Sequence, residues 1–392
     1  MGLTGRNIIV AGAGIGGLAA ALALRARGAE VTVLEQACEI AEVGAGLQIS
    51  PNGAAVLRAM GLGEALSRAA VPSRAVVLRD YRRGGEVLRL DLARYAAGQD
   101  FYLVHRADLI GLLAGAARTA GIPLRLLQRV EAVVPGPVPE LHLANGAQAR
   151  ADLVVGADGL QSRARVALNG DDRPFFTGQV AWRATVPNDL RLPAEAQIFM
   201  GPGRHMVCYP LRGGRLVNIV AVQERRDWAD EGWHHDDDPG NLRAAFSDFR
   251  GLPAELLAQV REVALWGLFR HPVAARWQGE GVAILGDAAH PTLPFLAQGA
   301  NLALEDAWVL ADCLAGEADQ AAALAAYQAR RRERAARVIA AANANAWKYH
   351  FGLSPIRELG HMALRLGGTL APTRAVRQFD WIYGYDVTAQ SR

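Results

Sequence analysis

Cysteine is scarce in this chain, charge of either sign nearly cancels, and no apolar run is both long and unbroken. Cys38, Cys208 and Cys313 are the only three cysteines in 392 residues, with no CxxC and no Cys/His spacing. A disulfide framework and a zinc site are therefore excluded as organising features, and a reducing cytoplasm is expected. The formal charge of +3 is too small for a nucleic-acid partner. The one basic run, Arg330-Arg331-Arg332-Glu333-Arg334, lies in an Ala-rich helical stretch and reads as a solvated helix face. The most apolar segment, Ile8 to Leu24, lacks a basic leader and a cleavage site and is broken by glycines. It reads as a buried strand and helix, neither a signal peptide nor a membrane span. His234-His235-Asp236-Asp237-Asp238 matches no common ligand spacing, and Asp238-Pro239 ahead of Leu242 reads as a helix start, so no metal is expected. Internal repeats and low-complexity linkers are absent as well. With 51% hydrophobic and 21% charged residues, the remaining class is a soluble globular chain long enough for two domains.

What is present starts at the first strand. Asn7-Ile8-Ile9-Val10-Ala11 runs into Gly12-Ala13-Gly14-Ile15-Gly16-Gly17, and Glu35 closes the next apolar run, Val31-Thr32-Val33-Leu34. Strand, glycine turn, helix and acid stand in the register of a dinucleotide-binding βαβ unit. Gly12 permits the tight turn, Gly14 lets backbone approach a pyrophosphate, and Gly17 lets helix pack on strand. The helix N-terminus offers free N–H groups to phosphate, and Glu35 can accept hydrogen bonds from a ribose. No second GxGxxG occurs, so a nicotinamide cofactor has no resident site of its own.

The rest of the chain predicts an α/β fold with interleaved domains. Ser50-Pro51 opens a helix that Gly61 ends. Arg74–Arg79 and Glu86–Leu90 read as a hairpin inserted into the nucleotide domain. A helix from about 107 to 120, a strand over Leu124–Gln128, a hairpin across Asn145-Gly146 and a buried strand Ala151–Val155 follow. From Gln179 to Leu268 the pattern changes to repeated strands with a helical pair between the last two, which marks a second, sheet-based domain. Gly281–Leu285 restores the parallel sheet and leads into helices at 301–314 and from 320 past 340. The expected division is 1–72, 101–176 and 270–345 for the dinucleotide domain, 73–100 and 177–269 for the sheet domain, and 346–392 for a C-terminal helical segment.

Three further motifs occur in order: His105-Arg106-Ala107-Asp108-Leu109, Gly156-Ala157-Asp158-Gly159, and Gly286-Asp287-Ala288-Ala289-His290-Pro291. Taken alone, the second also reads as a strand-ending turn, and Asp287 as a helix N-cap. Together with the first fingerprint they resemble the class A flavoprotein aromatic monooxygenases over nearly the whole chain. The pattern is similar to that of salicylate hydroxylase, 3-hydroxybenzoate 6-hydroxylase and 6-hydroxynicotinate 3-monooxygenase. Four stretches carry this likeness: Gly44-Ala45-Gly46-Leu47-Gln48-Ile49-Ser50-Pro51-Asn52, Ala181-Trp182-Arg183, Arg204-His205-Met206-Val207-Cys208-Tyr209-Pro210, and Pro294-Phe295-Leu296-Ala297-Gln298-Gly299-Ala300-Asn301. Phe379-Asp380-Trp381-Ile382-Tyr383-Gly384 is similar too, and the WxWxIP signature of flavin halogenases is absent.

The resemblance implies a Rossmann-type FAD domain that holds one FAD tightly and non-covalently, with NADH or NADPH as a transient co-substrate. It assigns Ile15, Gly16 and Glu35 to the ADP half, Arg106 to the pyrophosphate side, Val130 to the adenine and Asp287 to the ribityl hydroxyls. Backbone at Gly299, Ala300 and Asn301 would approach the flavin pyrimidine edge, and the Asp158 motif also belongs to the cofactor set. The implied reaction hydroxylates a phenolic acid with O2 through a flavin C4a-hydroperoxide. Such attack is electrophilic, so a base that removes the phenolic proton is required. The resemblance makes His205 and Tyr209 active-site residues. Their four-residue spacing on a strand puts them on one face, with Cys208 pointing to the other. Gln48 and Gln298 would lie near the flavin ring and bind a substrate hydroxyl or carboxylate. Gln48 departs from the histidine of some pyridine-hydroxylating relatives, which puts that substrate class in doubt. A larger phenolic or heteroaromatic substrate, and a flavin reductase or electron carrier that inserts no oxygen, remain alternatives. A homodimer is left open.

Overall fold

The computed structural model describes residues 2–40, 46–171, 173–226, 235–346, 350 and 354–389. Gly44, Ala45 and His234 of the motifs above lie outside these residues. The strand Asn7–Ala11 is buried except at its first residue and pairs in parallel with Glu30–Leu34 on one side and Leu153–Gly156 on the other. Val282–Ile284 extends the sheet in parallel beyond Leu153–Gly156, and the short Gln278–Gly279 closes that edge antiparallel. Two-sided burial explains why these strands read as continuous apolar runs. The chain turns sharply at Gly12, whose φ is +104° and where a Cβ would lie 2.4 Å from the Ala157 carbonyl oxygen. At Gly17 a Cβ would lie 2.0 Å from the Gly12 carbonyl oxygen, so the helix Ile15–Ala26 meets the strand at backbone distance. Ala19, Ala20, Ala21 and Ala23 are buried on that helix, and such small side chains let it pack against the helix Gly299–Gly316.

The second large sheet has eight strands in the order 235–237, 263–270, 175–187, 216–224, 204–211, 195–201, 75–80 and 86–91. One face carries Trp182, Met206 and Cys208 and packs on Phe246, Phe249, Leu256 and Leu257 from the helices Pro239–Ala245 and Leu252–Gln259 and their flanks. Asp238 caps the first of these helices through the Gly240 N–H at 2.7 Å. Strand alternation turns His205, Val207 and Tyr209 to the opposite face. Cys208 is fully buried, and enclosure pushes its thiol pKa up to about 12, which suits packing and not chemistry.

The hairpin near residue 80 spans Ala75–Asp80 and Glu86–Asp91 and joins the eight-stranded sheet, because Ala75–Asp80 pairs in parallel with Glu195–Gly201. That partner strand, like Gly46–Ile49 and Tyr102–His105 of a small separate sheet, is not anticipated by the sequence pattern. The strand over Leu124–Gln128 shrinks to Leu124–Arg125, since the chain leaves the sheet at Leu127 with φ +56°. Finally, the basic run is no solvated face. Arg332 and Glu333 are exposed, but the Arg331 side chain is fully buried and that of Arg334 is 9% exposed. No described helix is long and apolar enough to cross a membrane.

Candidate active site

The two sheets face each other across a cavity of about 310 Å³. Gly14, Ile15, Gly16, Arg106, Asp287, Gly299 and Ala300 line it from the dinucleotide side. Arg183, His205, Val207 and Tyr209 of the eight-stranded sheet line it from the other, with Val220 and Val222 beside them, and Gln48 of the small separate sheet also lines it. Two helix N-termini open onto this space, at Ile15 and at Gly299, and neither has a capping side chain. First-turn N–H groups have no intrahelical acceptor, so both ends present donors and a partial positive charge to an anionic or electron-rich ligand. At Gly14 a Cβ would have no heavy atom within 4 Å and would fill cavity space.

Glu35 accepts the Ala13 N–H at 2.7 Å and the Ala37 N–H at 2.9 Å, which ties the glycine turn to the end of the second strand. Asp287 follows the strand Val282–Ile284 and is open to the cavity while protein surrounds it. That enclosure raises its carboxyl pKa, against the pull of His290 and Arg106. The turn bearing Asp287 is held from behind: the Gly286 N–H donates to Asp306 at 3.1 Å, and His290 Nε2 lies 2.5 Å from the same carboxylate oxygen. A cradle without a Cβ at Gly14, two facing helix ends and one carboxylate fit the phosphates, flavin edge and ribityl hydroxyls of FAD.

Several sequence-predicted residues stand outside the cavity lining. Asp158 accepts Ser162 Oγ at 2.5 Å and the Arg163 N–H at 2.7 Å, so it secures the start of the helix Arg163–Asn169. Gln298 is buried; its amide donates to Ser50 Oγ at 2.9 Å and its carbonyl accepts from Asn52 at 3.0 Å. Asn301 donates to the Gln48 carbonyl at 3.0 Å and accepts the Ser50 N–H at 3.1 Å, which ties the Gln48 strand to the helix end. Val130 begins a strand in a separate three-stranded sheet and packs against the main core. Gly12 and Gly17 shape the turn behind the lining.

On the other wall, His205 is 3% exposed and its Nδ1 lies 2.7 Å from His350 Nε2. Burial, with His350 adding to it, holds the His205 pKa well below the ordinary histidine value. Burial likewise raises the Tyr209 hydroxyl, which Arg183 partly offsets. Arg183 stacks over Trp266 at 5.1 Å and brings positive charge to the wall. Sequence reasoning places Arg183 and Asn52 in motifs without giving either a role, and it misses His350, Glu305 and Asp306. The acid pair inside the apolar helix Gly299–Gly316 is the available signal, because buried carboxylates require cations.

The FAD binding domain family matches residues 6–342, and the chain belongs to that family. The 3-amino-4-hydroxybenzoate 2-monooxygenase of Streptomyces cremeus is 36% identical over 96% of this chain and 95% of its own length. The 3-hydroxybenzoate 6-hydroxylase of Aquipseudomonas alcaligenes is 34% identical, over 96% of this chain and 97% of its own. Among solved structures, a substrate complex of salicylate hydroxylase matches with a TM-score of 0.81 and 25% identity, covering 99% of this chain and 97% of that one. The chain is an FAD-dependent aromatic monooxygenase, with NAD(P)H as its reductant.

The Asp287 carboxylate supplies a test of the cofactor wall. A charged hydrogen bond contributes about 1.5–3 kcal/mol, so Asp287→Ala should weaken FAD retention roughly 10- to 100-fold. Asp287→Asn, which keeps one acceptor oxygen, should lose less. Flavin fluorescence titration of the stripped protein measures both, and an unchanged Kd in Asp287→Ala would remove Asp287 from the FAD contacts.

Proposed function

We propose that this enzyme hydroxylates a small phenolic acid of the hydroxybenzoate type, with the ring held between the cofactor wall and the strand Arg204–Leu211. The supporting observation is a single cavity that joins Gly14, Asp287 and Gly299 to His205, Tyr209 and Arg183. On this reading the substrate hydroxyl meets His205 and Tyr209, its carboxylate is drawn toward Arg183, and Gln48 orients a second polar substituent. Ile15, Gly16, Glu35, Arg106, Val130 and the backbone of Gly299, Ala300 and Asn301 hold the FAD, which when bound supplies the oxygen-transfer chemistry. Gln298 and Asp158 act one step back, by fixing the helix end and the turn that line the site. Val207, Val220, Val222 and Leu293 make part of the wall apolar and limit water around the reacting ring.

His205 takes the proton. A hydroxyl ortho or para to the attacked carbon activates that carbon once it is ionised, and neutral imidazole is the form that can ionise it. Because the His205 pKa lies below the usual value of about 6.5, the neutral form persists as pH falls through 6.5. Tyr209, whose own hydroxyl stays protonated, can donate a hydrogen bond to the forming phenolate.

The division into an FAD domain (1–72, 101–176 and 270–345), a sheet domain (73–100 and 177–269) and a C-terminal segment (346–392) is part of this reading; sheet membership supports it except at Phe175, Phe176 and Arg270, which belong to strands of the eight-stranded sheet. So is a cytoplasmic homodimer. Its support is three free thiols and an exposed apolar stripe, Leu359, Met362, Leu366 and Leu370, on the helix Ser354–Leu370.

NAD(P)H oxidation tests the function directly. With no second dinucleotide fingerprint, reduction is expected to be slow alone and to rise steeply with the right phenol. The panel is 3-amino-4-hydroxybenzoate, 3-hydroxybenzoate and salicylate, the substrates named for the relatives. Anaerobic stopped-flow gives the reduction rate, and mass spectrometry of product formed under labelled dioxygen gives oxygen insertion. Rates indifferent to every phenol, with no label in product, would support the reductase alternative.

A further inference from the structure

The cavity wall continues into a chain of ionisable groups that reaches solvent. His205 and Val222 are paired across the hairpin formed by Arg204–Leu211 and Leu216–Glu224. Glu224 stands two residues beyond Val222, so strand alternation turns it to the same face. His350 bridges the two: its Nε2 lies 2.7 Å from His205 Nδ1, and its Nδ1 lies 2.6 Å from Glu224 Oε1. The side chains of His350 and Glu224 are 4% and 55% exposed, so the series runs from cavity to water in three groups. His350 is also anchored by its backbone, whose carbonyl accepts the Gly203 N–H at 3.4 Å.

We propose that His205, His350 and Glu224 form a proton relay that carries the substrate's phenolic proton from the cavity to solvent. The proposal rests on the phenolic-acid function proposed for this site. A carboxylate can only accept, so Glu224 fixes the proton of neutral His350 on Nδ1. Nε2 of His350 is then an acceptor, and His205 must donate to it from Nδ1. That tautomer turns His205 Nε2 into the basic nitrogen toward the substrate. On binding, the phenol O–H bond breaks as His205 Nε2–H forms. The Nδ1 proton of His205 passes to His350 Nε2, the Nδ1 proton of His350 passes to the Glu224 carboxylate, and water receives it from there. Product leaves by the reverse sequence, which reprotonates its hydroxyl and restores both tautomers. Burial disfavours a lasting imidazolium at His205, so a base that only stored the proton would be poorly served there. Burial lowers the pKa of His350 too, though Glu224 opposes the shift. Among the described residues, Arg183 and Tyr209 on the same wall, and Asp287 and Arg106 across the cavity, are the other ionisable groups lining the site.

The test uses the oxidised FAD-loaded enzyme without NAD(P)H, so that no turnover enters the readout. Each phenol of the panel is mixed in weak buffer with a pH indicator, and phenolate absorbance and proton release are followed by stopped flow. Wild type should release one proton per bound phenol. In His350→Gln and Glu224→Gln the release should slow at least about 10-fold, toward the lower end of what general-base removal costs. FAD content should hold, and Kd for the phenol should change only a few-fold. Imidazole in the buffer should restore part of the rate to His350→Ala, and Glu224→Asp should recover more than Glu224→Gln. Wild-type release rates in both glutamine variants would overturn the relay while leaving the phenolic-acid reading intact. Slow release explained entirely by lost FAD or lost phenol affinity would make His350 a packing residue and overturn it equally. If no phenol is ionised by the wild-type enzyme or stimulates NAD(P)H oxidation, the substrate reading falls and takes the relay with it.

Discussion

His205→Ala should cut product formation by roughly 10²–10⁴, the range set by loss of a general base. FAD content should stay at the wild-type level, because His205 stands on the eight-stranded sheet, across the cavity from Gly14, Asp287 and Gly299. Consumption of NAD(P)H should fall less than product does, with hydrogen peroxide making up the difference, since oxygen is still reduced but the ring is a poorer nucleophile. Raising the pH toward the phenol's own pKa should recover part of the product, because solvent then does the ionisation that the imidazole did. In wild type the sign runs the other way: a depressed histidine pKa leaves the base neutral, so the histidine itself should impose no decline in product near pH 6.5. The ratio of product to NAD(P)H, measured from pH 6 to pH 9 in both proteins, checks these outcomes together. Unaltered coupling and an unaltered profile in His205→Ala would assign the ring to packing and shift attention to Gln48.

The residues whose position is legible in the sequence are those placed by their local context. Gly12, Gly14 and Gly17 lie within one turn, and Asp287 stands shortly after the buried strand Val282–Ile284, so neighbours in the chain are neighbours in space. His205 and Tyr209 can be placed on one face because a strand's period is two. Partners that arise only on folding leave no such trace. His350 is 145 residues from His205, and the strand Glu195–Gly201, buried throughout, carries no alternation that would mark it. The basic run misleads for a related reason: helical period shows which residues share a face, but not which face meets the core. Arg331 and Arg334 are three apart and turn inward together, while Arg332 and Glu333 remain in solvent.

The buried arginines explain how the cofactor wall keeps its shape. Glu305 and Asp306, adjacent on the helix Gly299–Gly316, face in part toward the helix Gln320–Ala346. Arg331 meets Glu305 at 2.6 Å and Asp306 at 2.8 Å, and Arg334 meets Glu305 at 2.8 Å. Glu305 also accepts from Asn52 at 2.6 Å, and Asn52 in turn holds Gln298. Asp306 accepts the Gly286 N–H. The network thus fixes two elements that line the cavity, the helix start at Gly299 and the turn at Asp287.

Arg331→Leu should therefore destabilise the protein by about 3–5 kcal/mol, the cost of removing one partner from a buried charge network. A leucine fills much of the space but cannot neutralise either carboxylate, whereas Arg331→Lys keeps the charge and loses the bridge, and should fall between. Because Asp306 also holds the Gly286 turn, FAD should dissociate from Arg331→Leu at lower urea than from wild type, ahead of or together with the loss of helical signal. Acid dependence follows from Asp306. Burial pushes its pKa up, but His290 and Arg331 outweigh that and hold it at about 2. A carboxyl with a depressed folded pKa contributes stability that is complete above the unfolded value of about 3.9 and is lost as pH falls through the folded one. Wild type should lose this contribution between about pH 4 and pH 2, and Asp306→Asn should lack that part of the slope. Urea unfolding followed by circular dichroism at several pH values, with flavin fluorescence read in parallel, measures both effects. An Arg331→Leu protein as stable as wild type, with the same acid slope, would mean that the two carboxylates are neutralised without the arginine, and that something other than this network holds the cofactor wall in place.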